Sequence, residues 1–235
     1  MSLPFIGVDM KVPHSFARPA FCTALFILSA LPVLVNAQQP VAGSVAASTP
    51  MAFQIRGGLN FAHTSYDPDP SSDVETPMGF GPSVGVLMDF GGPKNPHFLI
   101  GATIDSRPSK LEDQYDKLTL KSVYLTIPVM LSFKSPVVPG SPRLFLNLGA
   151  EPAFNISKKV EYNGEDAGDG DVEAFDFAFR LEGGFAIPLN PTSAFILGAG
   201  YTHSLTNYLG ASDLSGVEGF HRVIRIFAGL SFGGV

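Results

Sequence analysis

Across Phe175–Ile187, FDFAFRLEGGFAI, apolar side chains recur at every second position. Phe175, Phe177, Phe179, Leu181, Phe185 and Ile187 share one parity, with Gly183 the only gap. Asp176, Ala178, Arg180, Glu182, Gly184 and Ala186 occupy the other. A period of two belongs to a β-strand with one apolar face. The same pattern predicts seven more strands. Three come early, at 52–65 (Phe53, Ile55, Leu59 and Phe61 together), 79–90 (Val84, Val86, Met88) and 97–106 (Phe98, Ile100, Ala102, Ile104). Two long ones follow at 118–134, where Val123 to Phe133 alternate with Ser122, Tyr124, Thr126 and Ser132, and at 143–157, where Leu144, Leu146 and Leu148 oppose Asn147, Gly149 and Glu151. The last two are 192–205 and 222–232.

The connections alternate in length. Residues 66–78, 107–117, 158–173 and 206–221 are long, whereas 91–96 (GGPKNP), 135–142 (SPVVPGSP) and 189–191 are short. A transmembrane barrel produces this rhythm when hairpins emerge on two sides of a bilayer, with short turns on the periplasmic side and long loops outside. The expected fold is all-β: an eight-stranded antiparallel up-and-down transmembrane β-barrel occupying 51–235.

Composition separates this barrel from a soluble one. Charged residues are 15% of the chain, and 20 of its residues are Phe. Soluble domains carry roughly a quarter charged residues. A solvated outer face would place many Lys, Glu and Arg on the polar parity. Here that parity is mostly Gly, Ala, Ser, Thr and Asn, which suits the crowded interior of a narrow barrel. The apolar parity then faces lipid. Charges scattered on the inward parity are Arg56, Glu151, Asp176, Arg180, Glu182 and Arg225. Buried charges persist only when paired and hydrogen-bonded, so these six are the candidate site: an interior charge network with a structural role. Eight strands enclose a space about filled by side chains, which disfavours a wide aqueous channel.

The N-terminus reads as an export signal over 1–37. Lys11 and Arg18 precede the apolar stretch 21–35, and Val35-Asn36-Ala37 offers a small-x-small cleavage site. A short segment, 38–50, leads into the barrel. Cleavage removes Lys11, Arg18, Asp9 and Cys22, leaving 13 Lys+Arg against 20 Asp+Glu, a net −7, and no cysteine. That balance argues against nucleic acid as a partner, because phosphate binding needs a basic stripe. It also leaves no disulfide, thiol nucleophile or thiolate metal ligand. No cofactor, metal or catalytic set is expected. The expected partners are outer-membrane lipid and an envelope protein contacted through acidic external loops, Asp67, Asp69, Asp73 and Glu75 in the first and Glu161, Glu165, Asp166, Asp169, Asp171 and Glu173 in the third. Tyr66, Tyr115, Tyr162 and Tyr208 sit in or beside the long loops, where an outer aromatic girdle would lie.

Two alternatives carry chemistry: a small-solute pore, and a lipid-modifying barrel enzyme built on His203-Ser204. The second needs a base within hydrogen-bond reach of the hydroxyl, yet adjacent strand residues point to opposite faces.

Tyr124-Leu125-Thr126-Ile127-Pro128-Val129-Met130-Leu131 resembles the isoleucine-proline strand of the PorT-like family of bacterial outer-membrane β-barrels. Gly57-Gly58-Leu59-Asn60-Phe61, Phe175-Asp176-Phe177 and Tyr201-Thr202-His203-Ser204-Leu205-Thr206-Asn207 are similar to further motifs of that family in the same order. Ser204 stands where the family usually has glycine, and the chain ends Phe232-Gly233-Gly234-Val235 rather than on an aromatic residue. The resemblance implies an outer-membrane location. It implies no defined activity, since some members resemble parts of secretion and gliding machinery.

Overall fold

The computed structural model describes residues 51–67, 74–91, 96–136, 141–168, 173–209 and 218–233. The expected signal peptide and the segment 38–50 lie outside the described residues. Among the described residues, eleven strands form one antiparallel sheet: β1 Met51–Asp67, β2 Gly79–Phe90, β3 His97–Ser106, β4 Ser109–Glu112, β5 Lys117–Thr126, β6 Val129–Lys134, β7 Arg143–Tyr162, β8 Glu165–Gly168, β9 Phe175–Asn190, β10 Ser193–Ser204 and β11 Glu218–Phe232. The sheet closes on itself where β1 pairs with β11, from Phe53 opposite Phe232 to Asp67 opposite Glu218. Closure removes the sheet edge, which a bilayer demands because an unpaired backbone group finds no partner in hydrocarbon.

Eight staves make the ring. Strands β3 and β4 form one stave, interrupted at Arg107-Pro108. Strands β5 and β6 form another, interrupted at Ile127-Pro128. Pro128 has no N–H to give the ladder. The pairing continues around it, with Ile127 N donating to Pro152 O at 2.8 Å and Gly101 N to Pro128 O at 3.1 Å. Strand β8 is a short hairpin arm folded back on β7. It and β4 lie in segments that the hydropathy pattern assigns to loops. Strand β7 also runs to Tyr162, five residues beyond its expected end. These external extensions are polar, so they carry no apolar alternation to reveal them.

Apolar side chains face outward along every stave. Phe175, Phe177, Phe179 and Phe185 are 36–49% exposed, and Ile55, Leu59, Val84, Phe98, Ile104, Leu146, Leu197, Ile224 and Ile226 share that face of the sheet. The opposite face is buried and mostly polar. The arrangement inverts a soluble barrel, and the outer face is stable only against acyl chains.

Candidate functional site

All six candidate charges project into the barrel and are at most 5% exposed. Four different staves supply them, and the ladder registers bring them to neighbouring heights. Asn147 lies opposite Glu182 and Gly149 opposite Arg180 across β7–β9, while Asn60 lies opposite Arg225 across β1–β11. Glu182 accepts from Arg56 Nη1 at 2.7 Å and from Asn147 Nδ2 at 3.1 Å. Its other oxygen accepts from Arg180 Nε at 2.8 Å. Glu151 takes Arg180 on one oxygen and Arg107 Nη2 on the other, the latter at 2.5 Å. Arg225 reaches Asp105 at 2.6 Å and donates from Nε to Asn60 Oδ1 at 2.8 Å. Asp176 accepts from Arg107 Nη1 at 3.2 Å and from the hydroxyls of Ser204 and Thr206, Thr206 at 2.8 Å.

Two further charges join the six. Asp105 lies on the polar parity of β3, and Arg107 falls in the 107–117 stretch that the hydropathy pattern assigns to a loop. Arg107 N nonetheless keeps the ladder, donating to Ser122 O at 2.8 Å, and its side chain is fully buried. With them the cluster holds four guanidiniums (Arg56, Arg107, Arg180, Arg225) and four carboxylates (Asp105, Glu151, Asp176, Glu182), and is formally neutral. Neutrality and multiple pairing are what lets eight charges leave water together.

Aromatic rings frame this layer. Arg56 lies 4.7 Å from the ring centroid of Phe227 and 5.9 Å from that of Phe145. Both rings sit on the inward parity, and glycines opposite leave room for them. A Cβ on Gly198 would stand 2.6 Å from Phe227 Cζ, and one on Gly184 2.7 Å from Phe145 Cζ. Toward the long-loop end, Arg107 lies over the Tyr124 ring at 5.1 Å. Tyr124 Oη is 3.2 Å from His221 Nε2, and Tyr208 stacks on His221 at 3.9 Å. Tyr208 Oη also reaches Thr64 and Ser109, each at 3.3 Å. The expected tyrosine girdle therefore divides. Tyr115 and Tyr162 are exposed, but Tyr66 and Tyr208 turn inward and are buried, because their hydroxyls find partners in the barrel mouth and none in lipid.

At the short-turn end, Asp89 accepts from Lys134 and lies 2.9 Å from His97 Nδ1. Leu87, Leu99 and Met130 pack into a small apolar cluster nearby. Between this end and Arg56 remains a cavity of about 30 Å³, lined in part by Gln54, Ser132, Lys134 and Asn147. That is room for a water or two, not for a solute.

His203 and Ser204 face opposite sides. The ring lies on the outer surface beside Tyr201 Oη (3.1 Å), while the hydroxyl is inside on Asp176. In the acidic loops, Glu161 pairs with Lys121 at 2.5 Å and Glu112 with Lys117 at 2.6 Å. Asp69, Asp73, Asp169 and Asp171 lie outside the described residues. Among the described residues, no three His, Asp or Glu side chains are grouped to hold a metal ion.

Three solved outer-membrane proteins are similar to this chain. OprG of Pseudomonas aeruginosa is 14% identical, with 80% of this chain and 98% of OprG covered at a TM-score of 0.49. Neisserial surface protein A is 14% identical, with 77% and 98% covered and a TM-score of 0.44. AlkL, solved in lipid bilayers, is 11% identical, with 83% and 96% covered and a TM-score of 0.42. No curated protein sequence matches the chain. Residues 36–210 match the outer membrane protein beta-barrel domain. With its closed ring, lipid-facing phenylalanines and paired interior charges, the chain belongs to that family and resides in the bacterial outer membrane.

Proposed function

We propose that this barrel works without catalysis, as a membrane-embedded scaffold that presents its external loops to an envelope partner. On this reading it is a PorT-like member of its family, exported through a signal cleaved after Ala37. The carrying observation is the interior. Eight paired charged side chains, two aromatic rings packed around Arg56 and the buried Tyr124–His221–Tyr208 stack occupy the bore. A bore so filled supports a scaffold over a solute pathway. Display falls to the outer hairpins, β4–β5 and β7–β8, whose acidic side chains are exposed or half-buried. The Tyr124–Leu131 strand supports the PorT-like assignment.

Two measurements test the reading. In planar bilayers the purified barrel should show no stable conductance steps; regular steps would make it a pore. Deleting 161–173 should abolish capture of an envelope protein by the tagged barrel while heat-modifiable gel migration persists. Unchanged capture would refute the assignment of display to that loop.

A further inference from the structure

On the outer face the apolar band ends abruptly on three adjacent staves. His203 of β10 lies opposite Arg222 of β11, and Arg222 lies opposite His63 of β1. The row beneath is Tyr201, Ile224 and Phe61, still apolar or aromatic. One row therefore changes from greasy to basic in register across three strands. It sits toward the long-loop end, the external side by the usual asymmetry of these barrels. An outward arginine is costly at the bilayer midplane and nearly free at the interface, so the row marks headgroup level.

The row's polar groups are incompletely used. Arg222 Nη1 donates to Ser204 O at 3.1 Å, and its guanidinium stands 5.9 Å from the Phe220 ring. It makes no ion pair with a carboxylate among the described residues. His63 Nδ1 donates to Thr76 O at 3.0 Å, which in that tautomer leaves Nε2 as an acceptor for a phosphate hydroxyl. On β1 and β11 the acidic residues of the same face, Asp67 and Glu218, lie four residues beyond His63 and Arg222, about 13 Å away along the strands, while exposed Glu75 adjoins the Thr76 that His63 contacts.

An independent feature lies below, on β7, β9, β10 and β11, sharing two staves with the basic row. Gly183 and Ala199 face each other across β9–β10, and their small size opens an apolar groove of about 460 Å³ bordered by Leu144, Phe185, Leu197 and Ile226. Ala199 and Ile226 are four residues below His203 and Arg222, again about 13 Å. A basic row above an open apolar groove matches an amphiphile: a phosphate above, an acyl chain below. We infer that this face binds one phosphate-bearing lipid of the outer leaflet, its phosphate on Arg222 between His63 and His203 and one acyl chain over Gly183 and Ala199. The forked guanidinium suits phosphate oxygens.

Native mass spectrometry of the full-length barrel in detergent tests this with lipid A as the probe. A single adduct should form, and dephosphorylated lipid A should bind at least about tenfold more weakly, the loss expected for one charge-assisted contact. Arg222→Gln should weaken lipid A by a similar factor, and His63→Gln with His203→Gln should weaken it further. Ala199→Phe, which fills the groove and leaves the basic row intact, should also reduce binding. Heat-modifiable migration verifies that each variant is folded. Equal binding of phosphorylated and dephosphorylated lipid A to the unaltered protein would overturn the proposal even if a variant failed to fold. So would full competition by inorganic phosphate, which would make the row a free-anion site, or unchanged binding by folded Arg222→Gln.

Discussion

Replacing Glu151 with Gln keeps the shape of the most connected interior carboxylate and removes its charge. Glu151 is fully buried and faces three guanidiniums: Arg107 at 2.5 Å, Arg180, and Arg225 at 3.8 Å. After the change, Arg107 retains Asp176 at 3.2 Å, Arg180 retains Glu182, and Arg225 retains Asp105 at 2.6 Å. No cation is stranded alone, but a neutral cluster acquires one unbalanced positive charge. Breaking a buried pair costs about 3–5 kcal/mol, and the surviving partners place this variant near the lower end, about 3 kcal/mol. With a urea dependence of roughly 2 kcal/mol per molar, the midpoint should fall by roughly 1.5 M. The chain has no tryptophan, so unfolding in micelles is followed by far-UV circular dichroism and heat-modifiable migration. Glu161→Gln is the control. Its pair with Lys121 is solvent-exposed, with 52% of the lysine side chain accessible, and such pairs contribute at most about 1 kcal/mol. If Glu151→Gln and Glu161→Gln shift the midpoint equally, the interior network is not what holds the barrel together.

Three further outcomes are expected. Gly198→Ala places a methyl group 2.6 Å from Phe227 Cζ and 2.8 Å from Gly183 O and should destabilise by about 1–3 kcal/mol in the same urea titration, with Phe227→Leu restoring only the ring's share; no restoration would mean the backbone carbonyl alone is the obstacle. Gly164→Ala strains a turn at φ +87° with open space around the new Cβ. It should therefore cost roughly 1–2 kcal/mol locally, seen as faster proteolysis of the β7–β8 hairpin with an unchanged barrel midpoint. At the tip of the β4–β5 hairpin, Asp113 accepts from the backbone N–H groups of Tyr115 (2.8 Å) and Asp116 (2.6 Å), which hold its carboxyl below the ordinary aspartate value. A depressed pKa stabilises the folded turn above the unfolded value and loses that contribution as pH falls through the folded one. Hydrogen exchange should show Tyr115 and Asp116 amides still protected at pH 4 and released only at lower pH, whereas Asp113→Ala releases them throughout.

Alternation of side chains along the chain was enough to settle the barrel. In hydrocarbon the backbone must pair fully within the protein, so eight long period-two segments with small or polar opposite faces admit few arrangements. The outward direction of the phenylalanines followed from the scarcity of charge on the other parity. Sequence also marked six inward charges, since a charge on the crowded face has nowhere else to go. It missed what breaks the period. Arg107 lies in a stretch without apolar alternation, as do β4 and β8, although Asn163-Gly164, with φ +52° and +87°, is a strong hairpin signal. Who pairs with whom was decided only by closure. Arg56 meets Glu182 across 126 positions of chain and Arg225 meets Asp105 across 120, through strand registers that no local pattern encodes. The same registers align His63, Arg222 and His203 and turn Tyr208 into the bore. Alternation reports which face a residue takes; its height and neighbours depend on how far each strand slides against the next, a property of the closed ring as a whole.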